Sequence, residues 1–112
     1  MHKPQLKKDP MYQLLKEGKI EEFNQRRSNG ETCDLRNADL RGTDLRNLDA
    51  RNIDLSGAYL RHADLRGLDL SESNLEGASI NSAKISGTYF PVALSADEIT
   101  LSLVHGTRLR NR

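Results

Sequence analysis

Residues 33–70 read CDLRNADLRGTDLRNLDARNIDLSGAYLRHADLRGLDL, in which one short phrase returns every five residues. A helix would repeat its apolar residues about every 3.6 positions, and a strand would repeat them at every second position. A continuous element of either kind therefore does not fit a period of five. The period predicts two or three extended residues followed by a turn, repeated along the chain.

The repeat continues to residue 92 and makes twelve five-residue units. The central position of every unit is apolar, and the residue two positions earlier is usually small or apolar. In extended backbone these two side chains share one face, while the aspartate between them points to the other face. Glycine or asparagine often stands two residues after the centre, where tolerance of positive φ predicts a turn.

Turns that bend the chain by about a right angle would close a square after four units. Each winding would then hold 20 residues and lie about 4.8 Å above the previous one. Leu48 and Leu68 support this register, because both fill the usually small position and lie 20 residues apart. The small residue Ala50 stands beside Leu48, as a close-packed interior of fixed volume would require.

The chain resembles the pentapeptide-repeat family, whose pattern is A-(D/N)-L-x-x. Residues 38–42 and 63–67 both read ADLRG and match that pattern fully. The resemblance implies an all-β solenoid, a right-handed quadrilateral β-helix of about three coils. It also implies that segments at the two ends of the repeat cap its open edges.

Three segments are predicted: an N-terminal helical cap over 1–32, the pentapeptide-repeat β-helix over 33–92, and a C-terminal helix with a basic tail over 93–112. Asp9 and Pro10 are typical of a helix start and predict helices over 10–17 and 19–28. Ser95 with Glu98 forms a capping box, and Gly106 fits a C-terminal cap, which predicts a helix over 96–105. The basic tail over 107–112 is expected to be mobile at its end.

Length and composition indicate one soluble domain. The 112 residues carry a formal charge of +1 and one cysteine, which excludes an internal disulfide. The N-terminus lacks the apolar run of a signal peptide, and no stretch has the roughly 18 apolar residues of a membrane span. We therefore expect a cytoplasmic protein with no membrane partner.

Catalysis, cofactors and metals are not expected. His2, His62 and His105 are scattered, Cys33 fits a buried interior slot, and no phosphate-binding or dinucleotide-binding motif is present. Outward aspartates could be catalytic acids or calcium ligands, but most are followed two residues later by an arginine on the same face. This spacing favours solvated Asp–Arg ladders, which involve seven aspartates: Asp34, Asp39, Asp44, Asp49, Asp54, Asp64 and Asp69.

Charge is uneven around the predicted square. Two adjacent faces are each net −2 and the other two are each net +1, so the repeat has an acidic side. The asymmetry is either incidental or a surface for a basic protein partner. The second interpretation predicts a partner-binding site made of Asp34, Asp49, Asp54, Asp69, Glu72 and Glu76.

The last predicted helix has apolar residues in two sectors. Ala96, Ile99 and Leu103 would cap the repeat, which leaves the other sector free to meet a second copy of the chain. A twofold homodimer is therefore possible, with an interface of Leu94, Leu101 and Val104.

The leading hypothesis for function is a non-enzymatic, rigid protein–protein interaction module with an unidentified protein partner. By resemblance, the alternative is a DNA mimic that binds or protects a topoisomerase such as gyrase. Direct nucleic-acid binding is a third option, disfavoured because the repeat itself is net −2.

Overall fold

The computed structural model describes residues 9–112, so residues 1–8 of the predicted N-terminal cap, with His2, lie outside the described residues. Helix α1 is Pro10–Lys16, α2 is Ile20–Ser28 and α3 is Ala96–His105. The three predicted helices are confirmed, with α1 ending and α2 beginning one residue inside the predicted limits.

The repeat does not form the expected all-β solenoid, and the predicted quadrilateral β-helix is wrong as a fold class. From residue 9 to residue 112 the structure contains three helices and no stretch long enough to be a β-strand. Parallel pairing is limited to isolated single-residue bridges, such as Asp39 with Tyr59 and Asp44 with Asp64. Because the turns occupy two residues of nearly every unit, too little extended backbone remains for a ladder of successive pairs.

The 20-residue register itself is confirmed. Every isolated bridge joins residues 20 apart. Backbone hydrogen bonds flank this register at separations of 19 and 21 residues: Leu40 N donates to Tyr59 O at 2.9 Å, and Tyr59 N donates to Ala38 O at 2.9 Å. We call the successive windings coil 1 (33–52), coil 2 (53–72) and coil 3 (73–92).

The predicted turn position is confirmed in most units. Glycine, asparagine, His62 and Ser82 take positive φ there, with φ of 61° at His62 and 57° at Ser82. A histidine and a serine in this conformation show that the winding imposes the turn even where the residue type does not favour it.

The core lies inside the coils and extends under α1 and α2. The leucines at the unit centres of coils 1 and 2 are at most 2% exposed, and the alanines two positions before them are fully enclosed or nearly so. Tyr12, Phe23 and Met11 are the largest buried side chains that the two N-terminal helices contribute. The interior therefore continues from coil 1 into the helical cap.

Two side chains of the cap accept hydrogen bonds from backbone N–H groups on the edge of coil 1. Asp9 Oδ1 accepts from Met11 N and caps α1, while its Oδ2 accepts from Asp34 N at 2.7 Å. Asn24 Oδ1 accepts from Asp49 N at 2.8 Å. These contacts pair edge groups that would otherwise be open to another chain.

At the other end, α3 and the tail cover part of coil 3. Ser102 Oγ accepts from Ile80 N at 3.1 Å, and Leu103 O accepts from Ser82 N at 3.0 Å. The capping box is half formed: Ser95 Oγ accepts from Glu98 N, but the Glu98 carboxylate turns to Arg110.

The tail, whose end was expected to be mobile, packs against coil 3 in the structure. Leu109 is fully buried, its N donates to Ala78 O at 2.8 Å, and its O accepts from Gly77 N at 2.7 Å. Arg112 N also donates to Ala93 O at 2.8 Å. The tail is held because its single leucine fills the open end of the core and its backbone pairs with the exposed edge of coil 3.

Candidate functional site

Five of the seven outward aspartates form local ion pairs with the arginine two residues later, as the spacing predicts. Asp44 is representative: its Oδ1 accepts from Arg46 N at 3.1 Å and from Arg46 Nε at 3.0 Å, and its Oδ2 accepts from Arg46 Nη2 at 2.7 Å. The guanidinium lowers the pKa of the Asp44 carboxyl. The same pairing joins Asp34 to Arg36, Asp39 to Arg41, Asp49 to Arg51 and Asp64 to Arg66.

Three of the six predicted partner-binding residues are engaged within the protein. Asp34 pairs with Arg36 at 3.2 Å and Asp49 with Arg51 at 3.0 Å. Glu76 Oε2 accepts from Asn111 N at 2.6 Å, so it helps to hold the tail. These carboxylates are less available to a partner than the sequence suggested.

The other three predicted residues are exposed: Asp54, Asp69 and Glu72. Asp54 accepts from Ser56 N at 2.9 Å, and Asp69 accepts from Ser71 N at 3.0 Å and from Ser71 Oγ. No ion pair involves any of the three among residues 9–112. Neutral serine donors therefore hold the carboxylates of Asp54 and Asp69, and both side chains are exposed to solvent.

Sequence reasoning missed one cation on this side. Arg27 in α2 donates from Nη2 to Arg51 O at 2.6 Å, and its charge helps to lower the pKa of Asp49. No sequence signal could have placed Arg27 there, because its position depends on how α2 packs against coil 1.

A family model for pentapeptide repeats matches the chain in eight copies, over residues 33–67 and 53–90. These matches cover just over half of the 112 residues. The chain belongs to the pentapeptide-repeat family. No curated protein and no solved structure matches it significantly. Family membership supports a repeat protein of a generally non-enzymatic kind, and the partner is a separate question.

The described residues of this pentapeptide-repeat protein offer little that would suit another kind of site. Within residues 9–112 no three His, Cys, Asp or Glu side chains form a group that could hold a metal ion. Cys33 is half-buried, and burial raises the pKa of its thiol. Among the described helices none has the length and apolarity to cross a bilayer.

The predicted dimer interface of the pentapeptide-repeat protein is only partly on the surface. Leu101 is 40% exposed and Val104 is 60% exposed, whereas Leu94 is buried at 4% and belongs to the core. Leu94 is therefore unavailable to a second copy. The homodimer through the other two residues stays a prediction.

Asp64 of the pentapeptide-repeat protein contacts two arginines. It contacts Arg66 in its own turn at 2.7 Å and Arg46 in the coil before at 3.3 Å. Hydrogen bonding to the Arg66 side chain is the main reason that the pKa of Asp64 falls from 3.8 to about 2. One side chain therefore links two coils.

This shift predicts acid sensitivity. A carboxyl whose pKa is lowered by folding stabilises the native state above its unfolded pKa, and that stabilisation is lost as pH falls through the folded pKa. We expect the melting temperature to fall between about pH 4 and pH 2. Asp64→Asn should lower the melting temperature at pH 6 and flatten this acid slope. If the melting temperature of the variant depended on pH as steeply as that of the wild type, protonation of Asp64 would not be the cause of the acid sensitivity.

Proposed function

We propose that this pentapeptide-repeat protein is a non-enzymatic interaction module that binds a basic protein partner along its acidic side. The observation that carries the proposal is the difference between the two sides. On the basic side every outward aspartate has an arginine two residues later, whereas Asp54 and Asp69 have serines in that position. The acidic side therefore presents two carboxylates, Asp54 and Asp69, that have no arginine in their own turn.

These carboxylates are arranged at a cost to the isolated protein. Asp69 lies one coil above Asp49, at a spacing where like charges in water repel by about 1 kcal/mol. Arg51 relieves the repulsion in coil 1, but Ser71 takes the corresponding place in coil 2. A basic partner would remove the repulsion on binding, which would favour both fast encounter and correct register.

Rigidity supports the same function. The Asp54 and Asp69 side chains are held by backbone N–H groups, and that backbone is fixed by bridges to Asn74 and Tyr89 in coil 3. Little side-chain entropy is lost when such groups meet a partner. DNA mimicry would need a long and uniformly acidic surface. The protein measures only 36 × 27 × 21 Å and carries Asp–Arg ion pairs on its basic side, so these features do not support that alternative.

A double charge reversal tests the proposal. Asp54→Lys with Asp69→Lys should abolish retention of the partner that the wild-type protein captures from native lysate, because a repulsive surface replaces an attractive one. Retention is measured by pull-down with quantitative mass spectrometry.

The matched control is Glu21→Lys with Asp97→Lys. It makes the same change in net charge at two exposed carboxylates in the first turns of α2 and α3. Charge reversals at Arg46 and Arg66 on the basic side would not make a clean control. Both arginines contact the Asp64 carboxylate, so their replacement would also disturb the fold. If the control loses the partner and the acidic-side variant keeps it, the binding surface is elsewhere.

A further inference from the structure

A second charged surface lies where the end of α3 and the tail cross the coils. It is an open groove of about 760 Å³. Its described lining combines cationic and neutral polar side chains and includes no carboxylate: Arg41, Arg61, His105, Arg108, Tyr59, Ser79, Asn81 and Thr107, with Gly106. The charged side chains that line the groove are therefore cationic, and of these Arg41 is paired with Asp39 beside the groove.

Stacked coils form one wall of the groove. Gly42 N donates to Arg61 O at 2.8 Å and His62 N to Asn81 O at 3.0 Å. Arg41 and Arg61 thus emerge one strand spacing apart, about 4.8 Å. The Arg41 guanidinium is occupied by Asp39 through two contacts of 2.8 Å.

Arg61 is the free charge of this wall. It is exposed and makes no ion pair with any residue from 9 to 112. Its Nε instead donates to His62 Nε2 at 3.3 Å. A guanidinium in this state has donors left for a carboxylate in the two-pronged geometry that arginine favours.

The tail supplies the opposite wall, and this wall is rigid. Arg108 donates from Nη1 to Gly77 O at 2.8 Å and from Nη2 to Tyr59 Oη at 2.6 Å. Its guanidinium carbon lies 5.1 Å from the centre of the Tyr59 ring. Arg108 is therefore held in place before any ligand arrives, which reduces the entropy lost on binding.

Carbonyl groups at the end of α3 could repel an anion, but two of them accept hydrogen bonds from coil 3. Leu103 O accepts from Ser82 N at 3.0 Å and from Asn81 Nδ2 at 3.2 Å. Gly106 O accepts from Ser79 Oγ at 3.4 Å. The partial negative charge of the helix end is thus largely balanced within the protein.

We infer that this groove binds an acidic, extended segment of a protein partner through its carboxylates. The groove is a surface distinct from the acidic side and does not depend on that side's partner. Nucleic acid fits less well, because Arg108 covers one face of Tyr59 and so restricts its use as a stacking platform for bases. The larger groove near Lys19 is a poorer candidate, since glutamates and an aspartate line it together with its arginines.

The test is an NMR titration of the whole chain at about 150 mM salt, where exposed charges more than about 8 Å apart are screened. The probe is an octapeptide of alternating glutamate and serine whose two termini are blocked so that they carry no charge. We expect saturable amide shifts at Asn81, Gly106, Thr107 and Arg108. Inorganic phosphate and a single-stranded oligonucleotide are titrated in parallel.

Arg61→Glu should weaken peptide binding about tenfold or more, since it replaces the free cation with a repelling charge. Lys84→Glu is the matched control: it makes the same charge change at another exposed cation of the coils, outside the groove, and should change affinity less than about twofold. A dispersed spectrum shows that each variant is folded. Shifts centred outside the groove, equal affinities for the two variants, or tighter saturation by phosphate or oligonucleotide would each overturn the inference.

Discussion

Leu65→Ala is expected to lower the free energy of unfolding by about 2 to 5 kcal/mol. Leu65 is 1% exposed at a unit centre of coil 2, between the leucine of coil 1 and the isoleucine of coil 3 in the same column. Its neighbours are fixed by hydrogen bonds between coils, so they cannot move in to fill the cavity. Urea unfolding followed by circular dichroism measures the change.

Arg61→Ala is the control for this prediction, since Arg61 is exposed in the same coil and makes no ion pair among the described residues. It should change the free energy of unfolding by less than about 0.5 kcal/mol. Similar losses from the two substitutions would contradict the division into interior and exterior positions. Arg66 would be a poor choice, because its removal would leave Asp64 with Arg46 alone.

Much of the fold could be predicted from the period of five. That period identified the interior positions, the 20-residue register and the turns, because each is set by side-chain direction and by the φ that a turn demands. It did not reveal how short the paired stretches are. A single bridged residue such as Asp54, with turns close on both sides, is too little for a strand, and this overturned the expected class.

The candidate site was predictable only where contacts are local. Asp44 with Arg46 follows from a spacing of two, and the second contact of Arg46, with Asp64, follows from the register of 20. Arg27 on the acidic side and Arg108 in the groove could not be placed in the same way. Their positions depend on the packing of a helix and of a tail, and no periodicity records that packing.

The tail gives the second large prediction. Leu109→Ala should lower the free energy of unfolding by about 2 to 5 kcal/mol, although the residue stands only three positions from the end of the chain. Leu109 is fully buried, and its backbone pairs with Gly77 and Ala78 on the edge of coil 3. Truncation would open a cavity at the end of the core and weaken the cover of that edge.

Leu101→Ala is the matched control, a leucine-to-alanine change at a position that is 40% exposed in α3. It should cost less than about 1 kcal/mol, because less apolar surface leaves water there when the chain folds. The same denaturant experiment compares both variants. Equal, small losses would mean that the tail is as mobile as its composition suggests. A large loss for Leu109→Ala alone would show that Leu109 completes the core at this end. Because Arg108 directly precedes Leu109, the same variant should also make the position of Arg108 in the groove less fixed.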